Sequence, residues 1–231
     1  MIAPVAQLKK AEIIWLANNR CRHGHAYLSH FNCFLEEKAV ERPDEMDLKY
    51  GFLDIESTGS FKAQWGHIMS WCIKDEGEDG EIHYDVIRRS EAINPNVLDK
   101  RVVKSLVNKM KDYDVIVTYY GTRFDIPFIR TRALMQGIKD PLAYGDNIHF
   151  DLYFTVRRKF SLQGNGLDNA CKALLGDSNK TKIDHEWWLK ARLGDKEALE
   201  YVLEHNKMDV VDTERLYNVV VPYRRRVDAS V

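Results

Sequence analysis

The pattern of apolar and polar positions changes at about residue 48, and the longest regular stretches lie beyond it. YGFLDIES (50–57) reads as a strand, and HIMSWCIKD (67–75) and EIHYDVIRR (81–89) are two further β-rich runs separated by the turn-prone EGEDG. The three predict an antiparallel meander. Val97, Leu98, Val102, Val103, Leu106, Val107 and Met110 then recur at helical spacing, leading to DVIVTYYG (114–121), too continuously apolar for an edge strand. Such a crossover places the fourth strand parallel to the first. FDIPFIRTRALMQG predicts a helix opened by Asp125, with Pro127 in its first turn and its end near Gly137. NIHFD (147–151) is a fifth short strand, and LYFTVRRKF, GLDNACKALLG, HEWWLKARLG and the stretch from Asp195 through Tyr217 are helical. The expected fold is therefore α/β, with a mixed five-stranded sheet of a three-strand antiparallel meander plus two parallel strands, flanked by helices.

Residues 1–47 differ in kind. A short helical pattern around Ile13, Ile14 and Leu16 leads into CRHGHAYLSHFNCF and then the charged EEKAVERPDEMD. We read 1–47 as an extension, 48–222 as the main domain and 223–231 as a tail. Within thirteen residues of the extension fall Cys21, His23, His25, His30 and Cys33. Tetrahedral Zn²⁺ takes four ligands of this kind, and Cys21, His25, His30 and Cys33 are the most economical set. His23 in place of one histidine, or a metal-free cap, are the alternatives.

Composition changes this picture little. At 231 residues, 45 % hydrophobic and 30 % charged, the chain can bury one substantial core. No apolar run approaches the ~20 residues that span a bilayer, and the first residues lack the layout of a secretory signal, so a cytoplasmic location is the default expectation. The four cysteines suggest reduced thiols rather than disulfides. The net charge of −1 carries no global signature of nucleic-acid binding. Basic residues cluster only locally, at 100–111, 157–159 and 224–226, where solvated helix faces or tails explain them.

Candidate chemistry lies in the acids. Asp54 and Glu56 stand two apart in a strand and share one sheet face, where two carboxylates repel and burial is costly without a cation or hydrogen-bond donors. Asp125 follows a strand parallel to the first, so both carboxyl ends reach one edge; an ordinary helix cap is its alternative explanation. His205 and Asp209 are four apart on one face of the last long helix, together with Val202, whereas Asp212 and Glu214 are better placed as solvated charges. Four converging carboxylates form a hard, oxygen-rich site for two Mg²⁺ or Mn²⁺ ions, and His205 could orient or deprotonate an attacking water.

LDIESTG (53–59), TYYGTRFDIPFI (118–129) and YVLEHNKMDVVDTERL (201–216) resemble, in order and context, the three motifs of the DEDD (DnaQ-like) 3′–5′ exonuclease superfamily, which shares the ribonuclease-H-like fold. HFDL (149–152) and GLDNACKALLG place the likeness nearest the stand-alone branch related to family B DNA polymerase exonuclease domains. The resemblance implies that Asp54, Glu56, Asp125 and Asp209 are metal ligands and that single-stranded or frayed 3′ DNA ends are the substrate. An RNA exonuclease or an adaptor module with a degenerate site is the alternative, and a proofreading role would call for a replication or repair partner protein. One position departs from the family: His205 has the spacing of the tyrosine-type branch and the chemistry of the histidine-type branch. The resemblance also puts Thr58, Gly59, Phe61 and Trp65 beside the terminal nucleotide, with core packing the rival for both aromatics. Phe124 lines the same cleft or anchors its helix, and Lys180 and Lys182 are phosphate contacts or exposed linker lysines.

Overall fold

In the computed structural model, residues 16–34, 48–58, 62–138, 147–179 and 184–223 are described. Residues 49–223 form one compact unit, and the described residues 16–34 belong to a second. Gly59, Phe61, Lys180, Lys182, Ile13, Ile14 and the basic run at 224–226 lie outside the described residues.

The main unit is built on a five-stranded sheet of β1 (Tyr50–Ser57), β2 (Ile68–Asp75), β3 (Ile82–Val86), β4 (Val115–Thr118) and β5 (Ile148–Asp151), ordered β3-β2-β1-β4-β5. β1 to β3 pair antiparallel, whereas β4 runs parallel to both β1 and β5. The first strand is thus the central one, covered on both edges and both faces. Its close packing extends to Gly51, where a Cβ would stand 2.8 Å from the Tyr113 ring.

Alternation along β1 divides the molecule into layers. Leu53 and Ile55 are buried with Trp71, Ile73 and the stripe Val102, Val103, Leu106, Val107 and Met110 of α1 (Lys100–Met110), and the Trp71 indole donates to the Val102 carbonyl at 3.1 Å. This helix starts later than its apolar pattern suggests. Val97 is 37 % exposed and Leu98 takes a left-handed φ of 41°, because the chain turns after Asn94-Pro95 before the helix begins.

α2 (Asp125–Met135) follows β4, and α3 (Leu152–Lys159), α4 (Leu167–Leu174) and α5 (His185–Arg192) precede the long α6 (Lys196–Val220). Asp195 caps α6 by accepting the Ala198 N–H at 3.0 Å. α6 runs counter to β1 across the sheet: the Tyr217 ring meets Tyr50, Phe52 and Phe150 at 5.9, 5.4 and 5.7 Å, and His205 meets Glu56 near the strand's end. The face that is aromatic at one end is acidic at the other. Among the described residues no helix is long and apolar enough to cross a membrane.

One sequence expectation is corrected on α6. Asp212 and Glu214 are 0 % and 5 % exposed, not solvated. Asp212 accepts from Ser178 Oγ, Asn179 N and Asn179 Nδ2 at 2.8–2.9 Å and pairs with Arg215, while Glu214 pairs with Lys74 at 2.5 Å and accepts the Gly77 N–H. The helical period treats α6 as one-sided, but partners from the segment after α4 and from β2 wrap its other faces.

Candidate active site

β1 carries Asp54 and Glu56 on one face, opposite Cys72 and Ser70 of β2. Both carboxylates are half-buried, and burial followed by the Asp54 charge pushes the Cys72 thiol well above its ordinary range. The register shifts between Glu56 and Ser57, so the strand becomes irregular where it leaves the acids.

α6 delivers the second half of the site. With 3.6 residues per turn, His205 and Asp209 fall on one face, and both are buried against the sheet. His205 Nε2 lies 3.8 Å from Glu56 Oε1 and 3.8 Å from Asp209 Oδ2. One ligand atom from each of Glu56, His205 and Asp209 lies within 4.8 Å of the others.

Asp125 arrives from a third direction. β4 pairs with β1 only over Tyr50–Phe52, and beyond that ladder the Ile55 N–H donates to Asp125 Oδ1 at 3.1 Å. The carboxylate therefore ties the start of α2 to the backbone between Asp54 and Glu56. It stands one position inside its own helix, whose N-cap residue is Phe124, and its carboxylate accepts its own backbone N–H as well as that of Ile55, so a local bond at the helix start accompanies the tie to β1. At 2 % exposure, burial pushes its pKa up to about 7; the Ile55 hydrogen bond opposes this, and the charges of Asp151 and Asp209 add to it. Buried acid stands beside acid. Hard carboxylate oxygens gathered in this way fit a divalent cation, whose charge would relieve the crowding.

Sequence reasoning had no role for Asp151, the last residue of β5. Its carboxylate accepts the N–H groups of Tyr120 and Thr122 at 2.9 Å and of Tyr153 at 3.1 Å. Those bonds hold the turn that presents Asp125. In it Tyr120 takes a left-handed φ of 72°, and a Cβ on Gly121 would stand 2.2 Å from Thr118 Oγ1. The left-handed conformation of Tyr120 costs about 1–3 kcal/mol, which the Asp151 hydrogen bonds offset. The signal in the sequence was HFDL, read there only as a likeness.

The residues expected to meet substrate are placed differently from one another. Trp65 is 80 % exposed, which removes core packing as its explanation. Phe124 is half-buried, packed on the core with its ring 5.5 Å from that of Phe128. Thr58 is buried, and its N–H and Oγ1 pair with His67 O and N at 3.1 Å, extending the β1–β2 ladder by a residue.

In the smaller unit, Cys21, His23, His30 and Cys33 bring one ligand atom each within 4.8 Å of the others. His25, expected as a ligand, is not in this group; its ring packs on His30 at 4.1 Å between centroids, and His23 stands in its place.

Comparison with known proteins adds to this geometry. The profile of the RNase H superfamily matches residues 51–221. A DNA polymerase of Methanocaldococcus jannaschii is 30 % identical over 171 residues, 63 % of this chain and 10 % of the relative. DNA polymerase 1 of Pyrococcus abyssi is 37 % identical over 105 residues, 38 % of this chain and 13 % of the relative. This chain thus spans about a tenth of the length of these curated relatives. The solved structure of the family B DNA polymerase from the hyperthermophilic archaeon Pyrobaculum calidifontis superposes with a TM-score of 0.61 at 21 % identity, over 76 % of this chain and 25 % of that one, a likeness of fold.

Proposed function

Because this chain belongs to the RNase H superfamily, we propose that it is a nuclease, and specifically a metal-dependent 3′–5′ exonuclease acting on single-stranded or frayed DNA ends. The observation that carries this reading is the convergence of Glu56, His205 and Asp209 from β1 and α6 beside the buried Asp125. The resemblance of the three motifs to DEDD exonucleases supports it, as does similarity to a DNA polymerase over 63 % of this chain.

Asp54, Glu56, Asp125 and Asp209 would hold two Mg²⁺ or Mn²⁺ ions. When bound, such ions neutralise the phosphate, lower the pKa of water and stabilise a leaving oxygen. The protein's own groups do the rest. His205 Nε2, between two carboxylates, orients the attacking water and accepts its proton. Ile55 fixes Asp125 through its N–H, Asp151 holds the turn before it, and exposed Trp65 stacks on a base of the strand end.

The test is digestion of end-labelled single-stranded DNA, duplex DNA and RNA with Mg²⁺, Mn²⁺ or EDTA. Stepwise release of mononucleotides from the 3′ end of DNA, abolished by EDTA, is expected. Faster digestion of RNA would replace the DNA reading, and stable binding without cleavage would replace the enzyme with an adaptor.

A further inference from the structure

We propose that Cys21, His23, His30 and Cys33 form a closed structural zinc site in the amino-terminal unit. The argument is geometric. Cys21 Sγ lies 3.8 Å from His23 Nδ1 and 3.9 Å from His30 Nδ1, and Cys33 Sγ lies 3.4 and 3.7 Å from the same two atoms. Zinc bonds of about 2.3 Å to sulfur and about 2.0–2.1 Å to nitrogen, at tetrahedral angles, put sulfur and nitrogen about 3.6 Å apart. All four sulfur–nitrogen separations bracket that figure, and both histidines present the same ring nitrogen.

Local structure accounts for each ligand. The Gly24 N–H donates to the Cys21 carbonyl at 2.8 Å and the Cys21 N–H to the His25 carbonyl at 2.9 Å, a tight turn in which Gly24 takes a φ of 81°. Arg20 and Ala26 bridge its two arms. The turn folds His23 back toward Cys21. His30 and Cys33 are one helical turn apart, with the Cys33 N–H on the His30 carbonyl at 2.9 Å, so their side chains share a face.

The chemistry of the surroundings agrees. Cys21 and Cys33 are buried and form no disulfide. Among the described residues the apolar core around them holds Leu16, Tyr27 and Phe34 with Phe31 against it, and the two cysteines are themselves part of it. The binding free energy of a metal held by these side chains would add to the folding free energy of the segment that carries them. Four protein ligands leave no open position, which makes the site structural rather than catalytic.

The test is elemental analysis of the full chain, purified without a histidine tag from zinc-supplemented medium, with no assay of nuclease activity involved. Roughly one equivalent of zinc is expected, retained by His25→Ala and Asp209→Asn and lost by His23→Ala and Cys33→Ser. Under about a tenth of an equivalent in the wild type would overturn the site. Loss of zinc in Asp209→Asn would move the ion to the carboxylates, and loss in His25→Ala with retention in His23→Ala would overturn the ligand set. Should the variants fail to fold, cobalt exchanged into the wild type decides: intense visible absorption with a thiolate charge-transfer band supports the site, and a weak octahedral spectrum refutes it.

Discussion

Asp99 and Asp125 are both buried in the main unit, at 0 % and 2 % exposure, yet the two regions around them differ in kind. Asp99 faces a guanidinium. Its oxygens accept from Arg132 Nη2 at 2.5 Å, Arg132 Nε at 2.9 Å, the Ile68 N–H at 2.9 Å and Gln136 Nε2 at 2.8 Å, joining the start of β2 to α2. Asp125 meets one backbone N–H from β1 and the fields of Asp151 and Asp209. A buried acid paired with arginine and saturated with donors is a brace. A buried acid set among other acids lacks that compensation, which a cation would supply. The contrast, rather than burial itself, separates framework from site.

The contrast can be tested first where it is sharpest. Asp209→Asn should lower turnover by about 10³-fold or more at saturating Mg²⁺, since an ion's charge stabilisation is worth several kcal/mol, while the urea midpoint stays near wild type. Gel assays of 3′-end degradation beside equilibrium unfolding would show both, and normal cleavage would sink the site assignment. Arg132→Ala should do the reverse. Removing one partner of a buried pair costs about 3–5 kcal/mol, visible as a lower urea midpoint, with activity per folded molecule preserved. If Arg132→Ala lost activity without stability, the division between brace and site would fail.

His205→Ala should have an intermediate effect, about 10²-fold in turnover with little change in KM, as expected for a group that handles a proton. Near-wild-type turnover would remove His205 from the chemistry. The smallest effect is on stability in EDTA. The folded pKa of Asp125, about 7, exceeds its ordinary value of 3.8, so this group favours the folded state at low pH, and that contribution is lost as pH rises through about 7. Urea unfolding of metal-free protein between those values should show stability falling with pH, and Asp125→Asn should flatten the slope. A slope unchanged by the substitution would mean another group is responsible.

How far these features were legible depended on whether their cause was local. Asp54 and Glu56 sharing a face follows from the two-residue period of YGFLDIES, and His205 with Asp209 follows from the helical period, so both halves of the candidate site were readable before any packing was known. The meander, the parallel fourth strand and the stripe on α1 were readable for the same reason. Asp212 and Glu214 were misread because a helical wheel cannot see that Ser178, Asn179 and Lys74 come to them. Asp99 and Arg132, 33 positions apart, drew no notice among the charges of the sequence. In the amino-terminal unit the cluster of cysteines and histidines was plain, but the turn at Gly24 decides that His23, rather than His25, lies beside Cys21, His30 and Cys33.

By itself, then, the sequence determined which residues are presented together: spacing along one strand or helix is set by backbone geometry, which every residue shares. Only the tertiary structure decided what each presented group meets. Charge compensation depends on neighbours distant in the chain, and a buried carboxylate becomes a brace or a cation site according to whether the fold brings it an arginine or more acids.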